Sequence, residues 1–390
     1  QTGMPMPGQP RRRDDSGVLP GIKASTRRAG FAQMDSDWGG DLEQKGTKEA
    51  KGSIMAPVGW ESPSEEASRD LLEGHSDLDR IFVVRRGTWS KGFLRLSTLI
   101  TTLKEVGAFV REIRDDHFDL VLDFHGILKS GVISILSGVP VRVGLSPQFC
   151  KECNYLFNNY HIDLGTSALN RIERNIRFIG FLGINQADYD PIIPDSTFDR
   201  ELVDQFFRER QLTGRTPLIA IHPGTSRKTL YKRWSLSSYT QLADSLIERF
   251  NAHILWTWGP GEKETVEDIV KEMNRASTIA PNVNLRQLAE LFRRCCLFVG
   301  SDSGPMHIAS FVKTPVVVLY GPTDPVVNAP SPGTPHIMLR KDVSCNPCRN
   351  RDCRDVGCMS AIKPDEVIAA VQTALNNRHN NQFHCLSPLS

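Results

Sequence analysis

The chain has 390 residues, with 47 Lys and Arg against 45 Asp and Glu and a formal charge of +2. That near-balance excludes a nucleic-acid binder driven by overall charge, and 39% hydrophobic residues suffice for the cores of two ordinary domains. No apolar run approaches the roughly 20 residues of a membrane span and no secretory leader is evident. A cytoplasmic protein is therefore expected, with its nine cysteines as thiols or metal ligands rather than a disulfide framework.

Residues 1–60 are rich in Gly, Pro, Ser and charge and hold no sustained apolar period. They are expected to form a disordered leader or a segment not native to the domain. Residues 61–190 then read as a first α/β domain. A strand is expected over Ile81–Val84, followed by Arg85, Arg86, Trp89 and Lys91, a basic-aromatic cluster that is either a solvated loop or a face for anionic groups. Leu94–Ile113 can form an amphipathic helix. Phe118–Phe124 is a buried-strand run ended by His125-Gly126, with a helix starting at Leu128. Val141–Gly144 is a further strand, and Ala168–Leu182 a helix with Ile172, Ile176 and Ile179 on one face. The Cys150/Cys153 pair, alone on a polar loop, carries no argument. Pro191 and Pro194 mark the crossing between domains.

Residues 191–376 read as a second domain, with a tail over 377–390. After a helix over Phe198–Gln211, the strand Thr216–Ile221 ends in the small-residue loop His222-Pro223-Gly224-Thr225-Ser226. Lys228, Lys232, Arg233 and Trp234 follow, and Ser235 can cap a helix that runs to Phe250. The strand His253–Trp258 leads to Glu262, an acidic residue suited to a helix start. Val283 lies on the next loop, before a helix over Leu285–Arg294. Leu297–Val299 is a strand and Ser301–Gly304 a break. Pro305 sits where a first helical residue would be, capped by Ser303 or Asp302, with His307 one turn on. Pro315–Leu319 is a valine-rich strand suited to burial on both faces. Such strand–helix repeats predict a parallel doubly wound sheet. The helix start beside Asp302 is either an ordinary capped helix or a phosphate seat, and the density of small polar residues at one strand end favours the seat. In a parallel sheet the Lys232 loop lies at the same edge, so its cation could reach a diphosphate. Cys345, Cys348, Cys353 and Cys358 lie on an arginine-rich loop before a final helix over Pro364–Asn376. A structural zinc or redox-sensitive thiols are weighed there evenly against plain loop cysteines.

Asp302-Ser303-Gly304-Pro305-Met306-His307-Ile308-Ala309, followed by Tyr320-Gly321-Pro322-Thr323-Asp324-Pro325, resembles the paired signature of the family 9 glycosyltransferases. Phe118–Ser130 and the stretch from Pro223 through Lys232-Arg233-Trp234 are similar to two further family segments. The resemblance covers roughly residues 64–376. It implies an α/β fold of GT-B architecture, two Rossmann-like domains facing across a cleft. The first of these lacks its opening βα unit, for which Gly40-Asp41 is only a fragment. It also implies inverting transfer of L-glycero-D-manno-heptose from ADP-heptose to the Kdo or heptose of the lipopolysaccharide inner core. No cofactor is then required for catalysis, the lipid-borne acceptor implies peripheral contact with the inner membrane, and no nucleic acid is involved. By resemblance, Thr225, Ser226, Lys232, Glu262, Val283, Asp302, Ser303, Gly304, Pro305 and His307 hold the donor, with Lys232 neutralising the departing ADP. Arg85, Arg86 and Lys129 meet the acceptor, and the general base is unassigned. A sugar-nucleotide epimerase of the same architecture and a catalytically weak nucleotide-binding protein stand as alternatives.

Overall fold

The computed structural model describes residues 69–377 apart from 182, 184–190, 215–216, 226, 349, 351 and 354–355. It also describes two dipeptide strands, β1 (Ala24–Ser25) and β2 (Gln33–Met34), which pair antiparallel. The expected leader over 1–60 and the fragment Gly40-Asp41 otherwise lie outside the described residues, as does the tail beyond 377.

The first unit is a parallel sheet of β3 (Leu120–Leu122), β4 (Val141–Leu145) and β5 (Tyr160–Ile162), in that order. Helices α1 (Arg86–Phe93), α2 (Leu96–Asp115), α3 (Leu128–Leu136) and α4 (Arg171–Gly180) accompany it. Val143, Leu145, Ile162 and Phe178 pack together as its core. The strand expected at Ile81–Val84 does not form. Phe82 instead sets its ring edge-on against Phe109 of α2 and Phe118, and Arg80 pairs with Glu112 and Asp116. Side-chain packing on α2 therefore replaces a ladder. The basic-aromatic stretch, for which a solvated loop is one of the two sequence readings, forms α1, which packs on α2 through Trp89 and Phe109.

The second unit is a six-stranded, wholly parallel sheet. Its strands are β6 (Leu218–His222), β7 (His253–Trp256), β8 (Thr278–Ile279), β9 (Leu297–Ser301), β10 (Val316–Tyr320) and β11 (His336–Arg340), in the order β11-β10-β9-β6-β7-β8. Helices α5 (Thr197–Glu209), α6 (Leu236–Phe250), α7 (Lys263–Glu272), α8 (Leu285–Arg293), α9 (Gly304–Phe311), α10 (Gly357–Ser360) and α11 (Pro364–Asn377) cover both faces. The alternation of side chains along each strand sorts the core into two layers. Ile219, Ile221, Ile254, Trp256, Val299 and Val317 meet α6, α7 and α11 on one face. Ala220, Leu255, Phe298, Val316 and Val318 meet α5, α8 and α9 on the other. Four central strands are buried at every or nearly every position, as apolar runs covered on both sides must be.

The two units touch at a few fixed points. Asn170 caps α4 by accepting from the Ile172 amide, and its Nδ2 donates to the carbonyls of Ala329 (3.2 Å) and Pro330 (3.4 Å) in the second unit. Leu71 packs against the α5/α8 cluster, and Arg286 joins Glu73 O to Asp199.

Candidate functional site at the carboxyl edge of the second sheet

In a parallel sheet the carboxyl ends of all strands open on one edge, and where β6 and β9 lie side by side their following loops face each other. The loop after β6 turns through Pro223-Gly224-Thr225 into a 3₁₀ segment over Arg227–Lys232, which Trp234 nails down. Trp234 is wholly buried, lies edge-on to Tyr239 at 4.9 Å, and its Nε1 donates to Ile362 O at 2.9 Å. That anchor delivers Lys232 to the loop after β9. Its Nζ lies 3.0 Å from Asp302 Oδ2, with 18% of the lysine side chain exposed and 6% of the aspartate. Arg233 bends the other way and donates to Thr225 O at 3.3 Å.

His307, one turn into α9, places Nε2 3.7 Å from Asp302 Oδ1. Burial alone would push the Asp302 carboxyl up; the His307 contact and the Lys232 ammonium overcome it and hold Asp302 well below the usual carboxylate range. The carboxylate is thus ionised and fastens the lysine in place.

Helix α9 starts as expected, with Ser303 at the cap position and Pro305 inside the first turn. The expected side-chain cap does not form. Ser303 Oγ makes no bond to the first-turn amides and lies buried without a partner, while Asp302 turns to Lys232 instead. The positive end of α9 is therefore not closed off by its own chain. A Cβ added at Gly304 would meet nothing within 4 Å, so there is room in front of it. Thr225 Oγ1 and Arg233 Nε, on the facing loop, are also buried without partners. Unsatisfied buried polar atoms are uncommon in folded proteins, and three of them bracket the Lys232–Asp302 pair.

Glu262 occupies the backbone position that opens α7, as expected, but its carboxylate points inward. It accepts from the Gly259 amide at 2.9 Å and lies 3.5 Å from His222 Nε2, while His222 Nδ1 sits 3.0 Å from Thr257 Oγ1. Burial raises this carboxyl too, but His222, the Gly259 N–H and the Arg233 cation bring it below its ordinary value. Gly224 makes this possible, since a Cβ there would lie 2.0 Å from Glu262 Oε2.

Lys232, Asp302, Ser303, Gly304, Pro305, His307, Thr225 and Glu262 thus share one sheet edge. Val283 packs against the α5/α8 cluster beside Leu285 and Leu71. Ser226 lies outside the described residues, and so does the side chain of Arg86. Arg85, just before α1, and Lys129, in α3, are exposed on the first unit. Of the four cysteines, Cys345 is exposed, Cys348 and Cys353 are half-buried and Cys358 is buried, all as free thiols. Burial, then the three neighbouring thiols, pushes Cys358 up. Among the described residues no three His, Cys, Asp or Glu side chains are grouped as ligands of one ion. The loop is bound to the segment after β10, because the Cys348 amide donates to Pro322 O.

Arg233 and Trp234 entered the sequence reading only as members of the Lys232-Arg233-Trp234 segment, and His222 was given no role, although it ends a buried strand. Asp123 was missed likewise. It is 2% exposed at the end of β3, where Oδ1 accepts from the amides of His125 and Gly126. Its Oδ2 accepts from Ser130 Oγ (3.0 Å), Asn154 Nδ2 (2.7 Å) and Asn158 Nδ2 (3.5 Å).

Residues 106–358 match the model of glycosyltransferase family 9 (heptosyltransferase). The lipooligosaccharide heptosyltransferase 2 of Haemophilus influenzae is 32% identical over 230 residues, 55% of this chain and 64% of that one. The lipopolysaccharide heptosyltransferase 3 of Escherichia coli is 25% identical over 70% of this chain and 79% of its own. The match to lipooligosaccharide heptosyltransferase 2 of Campylobacter jejuni, at 27% identity, spans about half of that relative, 52% of its length. Among solved structures, a family 9 glycosyl transferase from Veillonella parvula superposes with a TM-score of 0.64 at 22% identity, over 80% of this chain and 86% of that one. The E. coli heptosyltransferase WaaC with ADP gives 0.59 at 19%, over 80% and 94%. The two parallel α/β units are thus those of a GT-B fold, and, with a family match running from α2 through Cys358, the chain belongs to glycosyltransferase family 9.

Proposed function

We propose that the protein transfers L-glycero-D-manno-heptose from ADP-heptose to the inner core of lipopolysaccharide, on Kdo or heptose, with inversion at the anomeric carbon. The observation that carries this reading is the pairing of Lys232 with Asp302 at 3.0 Å, directly before the uncapped start of α9. A diphosphate set there would receive the first-turn amides of α9, the Lys232 ammonium and the orphaned hydroxyls of Thr225 and Ser303. Glu262 would accept from donor hydroxyls, as a carboxylate after a strand can. Arg85, Arg86 and Lys129 would meet the acidic acceptor.

The chemistry asks for three things. The acceptor oxygen must give up its proton to a base as it attacks the anomeric carbon. The bond from that carbon to the diphosphate oxygen breaks through an oxocarbenium-like state. The electron pair leaves with ADP, whose growing charge must be met by fixed positive groups. Lys232 and the α9 amides supply the last requirement, and because Asp302 and Trp234 hold the lysine beforehand, little reorganisation is needed when the charge develops. The base belongs to the acceptor side and is not assigned to a residue.

The test is Lys232→Ala, assayed by ADP release with ADP-heptose and a Kdo-bearing lipid A. A fall in kcat/KM of about 100-fold or more is expected, the usual cost of removing one preorganised stabilising group. Unchanged kcat/KM would refute the role of Lys232. Free epimerised sugar nucleotide among the products would favour the epimerase, and no calorimetric heat with ADP would favour a chain without a nucleotide site.

A further inference from the structure

We propose that the α1–α2 hairpin is the face by which this protein lies on an anionic lipid bilayer. Helix α2 has two stripes. Thr102, Phe109 and Ile113 are buried and turn toward the first unit. The opposite stripe, Leu96, Ile100, Leu103 and Gly107, follows the i, i+4, i+7, i+11 spacing of one helix face. Leu96 is 91% exposed, Ile100 68% and Leu103 53%, and Leu94 and Phe93 in the preceding turn are exposed at 86% and 46%. Five large apolar side chains standing together in water form a patch of the kind that marks an interaction surface.

The charge around the patch selects its partner. From Arg85 to Lys104 the chain carries Arg85, Arg86, Lys91, Arg95 and Lys104 and no acidic residue. Lys104 and Arg111 border the shallow depression formed by Ile100, Leu103 and Gly107. The nearest acids are engaged elsewhere: Glu105 accepts from Trp89 Nε1 and Glu112 pairs with Arg80. Apolar side chains on one helical face, flanked by cations long enough to reach headgroup phosphates, suit an interfacial helix lying in the plane of an anionic leaflet. No helix among the described residues is long and apolar enough to cross a membrane, so this contact would be peripheral. The preceding reading gives the contact its purpose, since the acceptor there is borne on a lipid. The two can fail separately, because the assay below uses neither donor nor acceptor.

The experiment is co-sedimentation of the full chain with vesicles of phosphatidylglycerol and phosphatidylethanolamine, against vesicles of phosphatidylcholine alone. Wild type is expected to pellet with the anionic vesicles and stay in solution with the neutral ones. Leu96→Gln/Ile100→Gln/Leu103→Gln and, separately, Arg95→Glu/Lys104→Glu are expected to weaken partition by at least about tenfold. Both should melt at the wild-type temperature, since they alter exposed positions. Equal binding to both vesicle types, or undiminished binding by either variant, would overturn the proposal. So would a lowered melting temperature of the apolar variant, which would mean the face is already packed in the free protein. Concentration-dependent dimerisation lost in the same variant would assign the face to a second copy of the chain instead.

Discussion

Two buried aspartates stand at strand ends, one in each unit, and they differ in what surrounds them. Asp123, after β3, accepts from two amides, a serine hydroxyl and two asparagine amides. Each donor bonded to it is neutral, and a cation close by, Arg174, turns a guanidinium nitrogen to the Phe124 carbonyl rather than to the carboxylate. Asp302, after β9, faces Lys232 and His307, and buried hydroxyls beside it have no partner. A buried carboxylate at a strand end is therefore not a site by itself. A closed network ties a loop to its sheet, whereas leftover donors and an uncapped helix start give an anion somewhere to bind.

The contrast can be broken by exchanging what each aspartate supports. Asp123→Ala should cost most, about 3 kcal/mol or more of unfolding free energy by chemical denaturation, because it strands several buried donors at once. ADP affinity measured by calorimetry should stay at the wild-type value, and a large loss of affinity would erase the distinction between the two centres. Asp302→Asn should instead lower kcat/KM about 100-fold by freeing Lys232 from its position, and it should also lower stability, because the ion pair it breaks is largely buried. Gly126→Ala tests the rigidity of the Asp123 loop. The glycine has φ +67° and its added Cβ would lie 3.1 Å from Leu145 Cδ1, so a loss of about 1–2 kcal/mol is expected in the same denaturation assay.

The acid limb of the stability curve sharpens the same comparison. Asp302 and Glu262 are both held below their ordinary values of 3.8 and 4.5. A carboxyl depressed in the folded state contributes stability that is complete above its unfolded value and is lost as pH falls through the folded one. Stability should thus be indifferent to these groups near neutrality and decline below 4.5, first from Glu262 and then, below 3.8, from Asp302. Asp302→Asn should flatten the lower part of that decline in thermal melts taken across the acid range. The smallest effect expected is that of Asn170→Ala. It removes the cap of α4 and two bonds to the second unit, for about 1 kcal/mol in the same melts.

Much of the second unit was legible because its signals are local. Valine-rich strands, Ser235 before α6, Pro305 inside α9 and the runs of small residues at strand ends each act over a few neighbouring residues. Ser235 does cap, accepting from the Ser238 amide. The first unit was read less well. The apolar run Ile81–Val84 has strand-like composition, but Phe82 finds its partners on α2 and Phe118, and ring packing decides the segment. The arginines and tryptophan after it allowed a solvated loop as one reading, yet Trp89 packing on Phe109 winds them into α1. The expected cap on α9 failed for a similar reason, since a lysine 70 residues away in sequence claims Asp302.

The parallel α/β character, the likeness to family 9 and the loops dense in small polar residues are readable along the chain, because periodicity, turn chemistry and motif spacing are properties of adjacent residues. Packing in three dimensions is what locks Lys232 onto Asp302, turns Glu262 inward to His222 across the space left by Gly224, and closes the network of Asp123 while leaving hydroxyls unpartnered beside Asp302. Each of those outcomes depends on side chains brought together by strand order and burial, and the strength of a charge or the cost of an unpaired hydroxyl is set by what the fold packs around it.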